Sequence, residues 1–313
     1  MHNKYDYMQL DNNYIGIFLG FLGYVIFVLL DSIIKKYLVN YYPVIEINFF
    51  ICLFSFIPIA FALHFISGWK VLINNKIHIQ VFRGFLGLIC AAIIINSFKN
   101  HSFSEIYPIL FSAPLIITAL SFFILKEKIG PRRLIAVLIG FVGVLIVARP
   151  GTIHFTFSLF LLFIGAIILS INVILIRIYA SNQSSIAFAF YGFSVGLIVS
   201  SLITTQFYVP LKNNDIYLFI FCGIIAGTGG LCISAASKML ESSLFAPLQY
   251  FQLIAGFVFG YLFFGDVPDY YEVVGSLVIS VSGLFIIYRD YQTGIKSFTS
   301  KVRASNDIIN RGN

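Results

Sequence analysis

Ten apolar runs, separated by short polar gaps, make up most of this 313-residue chain. They cover approximately residues 14–34, 44–66, 81–98, 103–125, 132–148, 156–178, 184–206, 215–236, 243–264 and 271–288. Most are close to the roughly 20 residues that an α-helix needs to cross a bilayer core about 30 Å thick. None shows the period-two alternation in blocks of about 10 residues that a membrane-spanning strand requires. The pattern predicts an all-α polytopic membrane protein with ten transmembrane helices. Only "KNHS", residues 99–102, separates the third run from the fourth.

Composition changes the picture in one respect: it says what lies outside the helices. Of the residues, 59% are hydrophobic and 11% charged, against about 25% charged in soluble domains. So few charges cannot clothe a water-facing surface, and most of the exterior must face lipid. The net charge of +7 is spread too thinly for a nucleic-acid surface. Its distribution is more telling than its sum. With the N-terminus inside, the inner loops and tails collect 15 Lys and Arg and the outer loops 5. The positive-inside bias therefore predicts that both termini are cytoplasmic, in the cell inner membrane. The first thirteen residues are polar, and the run that follows lacks a small-x-small cleavage pattern near its end. It is expected to be a first span, not a removed signal peptide.

The same turn is written twice along the chain with opposite sign. "FFILKEKIGPRR" at 122–133 carries a net +3, and "YLFFGDVPDYYE", 139 positions later at 261–272, carries −3. Five spans separate the two turns. A five-span unit has an odd number of crossings, so a second copy must enter the membrane from the other side. The first turn is then cytoplasmic, where bases are favoured, and the second is outside. At the same offset Lys99 matches Lys238, Ser104 matches Ser243, Pro108 matches Pro247 and Glu127 matches Asp266; at about 141, Asp31 matches Asn172. The expected organisation is a tail (1–13), two inverted five-helix repeats (14–151 and 152–290) and a basic tail (291–313). Inverted repeats are a plan of secondary transporters, whose substrate site lies near the midplane between the halves.

The segment "PILFSAPLIITALSFFILKEKIGPRRLIAVLIGFVGVLIVARPG", 108–151, resembles the signature of the drug/metabolite transporter superfamily, EamA type. Its pattern is a proline-bearing helix ending in a polar residue and Glu, a short turn, and a glycine-rich helix closed by a base and "PG". The second half repeats it more loosely, with "GD" for "KE" and "YRD" for "ARP". The resemblance implies ten spans in two inverted halves and secondary transport of a small molecule. "FRGFLG" at 82–87 resembles a subgroup that includes bacterial S-adenosylmethionine uptake transporters.

Charge within a span costs roughly 2.5–3.5 kcal/mol at the centre on insertion scales, so such residues usually face a cavity or a partner. Arg83 lies two positions into its run. It reads either as a headgroup anchor or as a ligand-facing base, whose planar fork would suit a carboxylate. Asp31 and Glu46 lie toward the outer side and read as partners of Lys35 or Lys36, or as cavity groups with a part in proton coupling. Glu105 opens the fourth run, where a carboxylate suits a helix N-terminus. Gln249 and Gln252 share a helix face flanking Tyr250, and an amide in lipid must find a partner. They read as helix-to-helix glue or as substrate-binding residues. Asn96, Asn172, Tyr107 and Tyr191 are further candidates of the same kind. Pro108 and Pro247 deprive the carbonyls of Ser104 and Ser243 of a helical donor, which marks two bending points suited to gates.

Cys52, Cys90, Cys222 and Cys232 lie in apolar runs without metal or redox spacing. There is no phosphate-loop "GK[ST]", no His-Glu-x-x-His and no "GxSxG", and the five histidines are scattered. No metal or cofactor is expected. The expectation is a secondary carrier of a small polar metabolite, S-adenosylmethionine uptake being one substrate reading and export of amino acids or drugs the alternative. The expected assembly is a monomer or homodimer in the lipid bilayer, without nucleic acid. A membrane enzyme or a channel is the rival class.

Overall fold

The computed structural model describes residues 2–73, 77–124, 131–150, 156–179, 184–212, 214–240, 248–286 and 288. Among them are helices and no strand. In chain order these are α1 (His2–Ile33), extended by a π turn at Ile34–Leu38; α2 (Val44–Ala62), extended likewise at Leu63–Ser67; α3 (Ile77–Ser97); α4 (Phe103–Leu110); and α5 (Ala113–Ile124). There follow α6 (Pro131–Ala148), α7 (Phe157–Tyr179), α8 (Ser185–Phe207), α9 (Asp215–Met239), α10 (Gln249–Phe264) and α11 (Tyr270–Ile286). Seven stretches are long and apolar enough to cross a membrane, and Leu134–Ala148, Gln249–Phe264 and Tyr270–Ile286 are shorter apolar helices. Together they coincide with the ten expected runs.

Two boundaries differ from the sequence reading. First, α3 begins at Ile77 and not near 81, so Arg83 is six residues, about 9 Å, along the helix. The polar "HIQ" at 78–80 hid this extra turn from a count of apolar residues. Second, the fourth run is not one helix. Pro108 has no N–H to give the Ser104 carbonyl. The amide of Phe111 still reaches the Tyr107 carbonyl at 2.8 Å, but that of Ser112 turns back to Ile109 at 3.1 Å. A new helix then starts, with the Ser112 carbonyl accepting from Leu115 and Ile116, both at 3.0 Å. The break lies about 12 Å in from Phe103, near mid-membrane depth.

Helix ends facing the expected outer side are capped by sequence-local chemistry. Ser102 and Glu105 form a capping box at the start of α4, which accounts for Glu105. Asp269 and Glu272 do the same at α11: each backbone N–H donates to the other's carboxylate at 2.9 Å. Gly265 adopts φ +70° just after α10, a left-handed turn that a side chain would strain.

Packing between the two halves follows a rule. Across the halves, α1 packs on α9 and α10, α2 on α8 and α9, α3 on α7 and α8, α4 on α7 and α10, and α5 on α7. Helix α6 meets α11 where Gly143 faces Gly275. Exchanging each span for the one five places away turns the first–eighth contact (α1–α9) into sixth–third (α7–α3), which is present. The same exchange turns α2–α9 into α8–α3 and α1–α10 into the contact of α7 with α4 and α5, and leaves α2–α8, α4–α10 and α6–α11 unchanged. Every one of these contacts thus has its mate, as a two-fold relation between five-span halves requires. Close approach is bought by glycine: a Cβ at Gly256 would lie 2.2 Å from the Tyr107 ring. Tyr107 and Phe103 are fully enclosed by this packing.

Candidate functional site

The polar side chains gather in three places along the boundary between the halves. The first lies where α3 meets α7 and α8. The Arg83 Nε donates to Asn172 Oδ1 at 2.9 Å, and Asn172 Nδ2 donates to the Arg83 carbonyl at 3.1 Å. Nη1 of Arg83 donates to Gln80 Oε1 at 2.8 Å, one turn earlier on the same helix. The guanidinium stands 4.7 Å from the ring centroid of Phe188 on α8, within cation–π range. Arg83 is therefore joined to the second half through one amide and one aromatic ring. Nearby along α8, the Tyr191 hydroxyl donates to the Leu72 carbonyl at 2.6 Å. Two sequence candidates, Arg83 and Asn172, are thus brought into direct contact, and Tyr191 is engaged with backbone.

The second place is the other end of the boundary. Asp31 accepts from the Tyr107 hydroxyl at 2.8 Å. Lys35, expected as a partner for Asp31 or Glu46, goes elsewhere. It donates to the His101 carbonyl at 2.8 Å and pairs with Asp266 at 3.5 Å. Its ammonium lies 4.9 and 4.7 Å from the Phe103 and Phe264 rings. The π turn at Ile34–Leu38 changes the helical register just after Asp31 and carries Lys35 round to the α10–α11 turn. Lys36 stands over Tyr37 and Phe263 instead, at 5.7 and 5.5 Å. Glu46, fully buried, accepts from the Val209 N–H at 3.1 Å beyond the end of α8. Beside it Tyr42 donates to Asp215 at 2.6 Å and accepts from the Lys212 N–H at 3.0 Å. Burial pushes the Tyr42 phenol up, and the bond to Asp215 adds to that.

A second ion pair joins the same turn to the first half: Arg149, just past α6, pairs with Asp269 and stands 4.7 Å from the Tyr271 ring. Partial burial alone would raise the Asp269 carboxyl, but the Glu272 N–H and the Arg149 guanidinium outweigh it and hold the group below the usual carboxylate range. Residues 265–269 are therefore strapped to α1 and to the end of α6 by two carboxylates.

The third place is the middle. Tyr250 is buried and stacks on Phe111, at the α4–α5 break, with ring centroids 5.8 Å apart. Gln249 and Gln252 are half-buried on the same helix, and the Gln249 side chain hydrogen-bonds Tyr24 of α1. Asn96 lies exposed near the end of α3, its carbonyl accepting from the Lys99 N–H at 3.3 Å. Pro108 sits within α4, three residues before the break. Pro247 and the turn 125–130, with Glu127, lie outside the described residues.

Sequence reasoning missed Tyr24, Gln80, Phe188 and the Lys35–Asp266 pair. The acidic turn at 261–272 was the one available signal for the last of these. Among the described residues no cluster of His, Cys, Asp and Glu could hold a metal ion. The arrangement suits hydrogen bonding and charge recognition across two halves.

Comparison with known proteins follows the same division. Residues 14–149 and 156–289 each match the EamA-like transporter family. The chain is 24% identical to the S-adenosylmethionine uptake transporter of Rickettsia prowazekii (strain Madrid E) over 273 residues, 87% of this chain and 91% of that protein. It is 22% identical to solute carrier family 35 member G1 of Homo sapiens over 302 residues, 90% of this chain and 81% of that one. A crystal structure of another protein superposes with a TM-score of 0.59 at 16% identity, covering 88% of this chain and 96% of the other. That likeness speaks for the fold alone. The family's named members are transporters and not enzymes. With two matched copies laid over ten apolar segments, this multi-pass membrane protein belongs to the EamA-like transporter family.

Proposed function

We propose that the chain is a secondary carrier that takes up S-adenosylmethionine, or a closely similar amino-acid-bearing metabolite, across the cell inner membrane by alternating access. Both termini are cytoplasmic in this reading, and 14–151 and 152–290 are the moving halves. The contact that carries it is Arg83 with Asn172, a charged fork held by an amide from the opposite half. A substrate carboxylate that competes for that fork would loosen the halves on binding, so binding and movement become one event. Arg83 lies about 9 Å into α3, deep enough to serve a site inside the membrane. The sequence likeness to an S-adenosylmethionine uptake transporter along most of the chain supports this substrate. Gln249, Gln252 and Tyr250 border the site from α10, Tyr191 from α8 and Asn96 from α3. Asp31 couples transport to a proton through Tyr107, and Glu46 holds the outer end of the second half. Pro108 and Pro247 supply the two bending points.

The test is uptake of labelled S-adenosylmethionine into proteoliposomes holding purified protein. Saturable uptake that unlabelled S-adenosylmethionine suppresses and free amino acids do not is the expected result. Uptake no faster than in protein-free vesicles, with correctly inserted protein, would refute the substrate.

A further inference from the structure

Helices α6 and α11 come closest at a pair of glycines. At Gly143 and Gly275 the backbones touch: a Cβ at 143 would lie 2.9 Å from the Gly275 carbonyl oxygen, and one at 275 would lie 2.7 Å from that of Gly143. The chain's own repeat offset of 139 maps these two positions onto Ser282 and Ala136. There the glycines give way to side chains, and both positions line a groove. It measures about 520 Å³ and is lined by Arg132, Ile135, Ala136, Ile139, Leu277, Val281 and Phe285 among others. Ser282 also lines it, but its hydroxyl is bonded to the Val278 carbonyl of its own helix. Arg132 is thus the one charged group on an otherwise apolar wall.

We propose that this groove holds one acyl chain of an anionic glycerophospholipid, with the headgroup phosphate on Arg132. The lining runs from Arg132 to Ile139 on α6 and from Phe285 to Leu277 on α11, about 10–12 Å of helix. That fits within one leaflet, half of a core about 30 Å thick. Arg132 lies one residue from the start of α6, so the groove's charge falls at headgroup level, where a phosphate lies. Lys126, Lys128 and Arg133 lie within seven residues of Arg132 in sequence. Assigning the cytoplasmic leaflet rests on the orientation given above. Ile135, Ile139, Leu277 and Val281 of its lining are half exposed or more, so the groove faces outward, and none of the residues that line it is one assigned to the substrate site.

The full chain, purified and exposed to an equal mixture of phosphatidylglycerol and phosphatidylcholine with identical acyl chains, would be examined by native mass spectrometry. One retained phosphatidylglycerol per chain, favoured roughly fivefold over phosphatidylcholine, is the expected result for one base at the headgroup. Arg132→Gln should bring the ratio near one, and Arg132→Lys should keep it. Ser282→Phe, which fills the groove and leaves the charge, should lower retention of both lipids. Equal retention by the unaltered protein overturns the proposal, and so does a preference that survives Arg132→Gln, which would belong to the neighbouring loop bases. Efficient disulfide cross-linking between copies through cysteine at Val281 in native membranes would show a second chain in the groove and likewise overturn it. None of these readouts depends on the transported substrate or on which side the termini lie.

Discussion

Arg83→Lys isolates what the guanidinium does across the boundary. The native side chain donates to Asn172 on the opposite half and to Gln80 on its own helix, at 2.9 and 2.8 Å. A lysine keeps the charge and has donors to spare, but it lacks the rigid fork whose Nε and Nη1 reach the two acceptors at once, so it does not hold both in the native geometry. A hydrogen bond to a charged group contributes about 1.5–3 kcal/mol. Arg83 is partly buried, which places the loss toward the lower end, about 1.5 kcal/mol, or roughly a tenfold shift between the state with the pair and the state without it. Initial uptake of labelled S-adenosylmethionine by proteoliposomes should fall about tenfold at equal incorporation. A cycle with Asn172→Leu separates positioning from folding: if the two residues act together, the double variant is little worse than either single one. Thermal unfolding in detergent, run alongside, should change far less than uptake. Near-normal uptake by Arg83→Lys would refute the argument, because a headgroup anchor is served equally by either base.

Four further outcomes follow from the same geometry. Asp31→Asn should abolish the dependence of uptake on an inward proton gradient while leaving exchange of labelled for unlabelled substrate intact; loss of both, or of neither, refutes a proton role. Gly256→Ala places a Cβ 2.2 Å from a fully enclosed tyrosine ring, and should cost about 1–3 kcal/mol, seen as a lowered melting temperature. Asp269 titrates below the ordinary aspartate range in the folded protein, so its strap to Arg149 is intact above about pH 4 and is lost as pH falls through the lowered value. Hydrogen exchange of the 265–269 amides, corrected for the intrinsic pH dependence of exchange, should then speed up in acid, and Arg149→Gln should remove that step. Single cysteines at Ile129 and Val267 should react with impermeant reagent from opposite sides of the membrane; labelling from one side removes the inverted repeat.

The helices were legible because their cause is local. Lipid demands about 20 apolar residues per crossing, and each run could be counted without knowing its neighbours. The capping role of Glu105 was legible for the same reason, since Ser102 lies three residues away. Arg83 was placed too shallow because the first turn of α3 is polar, and polarity was taken as the membrane boundary. The α4–α5 break was hidden because Pro108 announces a bend but not where the chain restarts. That depends on Ser112 offering its carbonyl to two amides. Lys35 and Asp266 are 231 residues apart. Nothing near Lys35 names its partner, and Asp31 and Glu46 were the nearer acids in sequence. Gln249 and Gln252 were found by type, while the partner of Gln249, Tyr24, sits on the far end of the chain and became visible only once α1 and α10 were packed together.

The break at Phe111–Ser112 gives the first half a joint near mid-membrane depth, set against Tyr250 of the second half. A span with such a joint yields at one known turn and not along its whole length, so the stiffness of the stroke that bends it is set locally. Substitution at that single turn can then change the speed of the cycle while leaving the groups that recognise the cargo as they are.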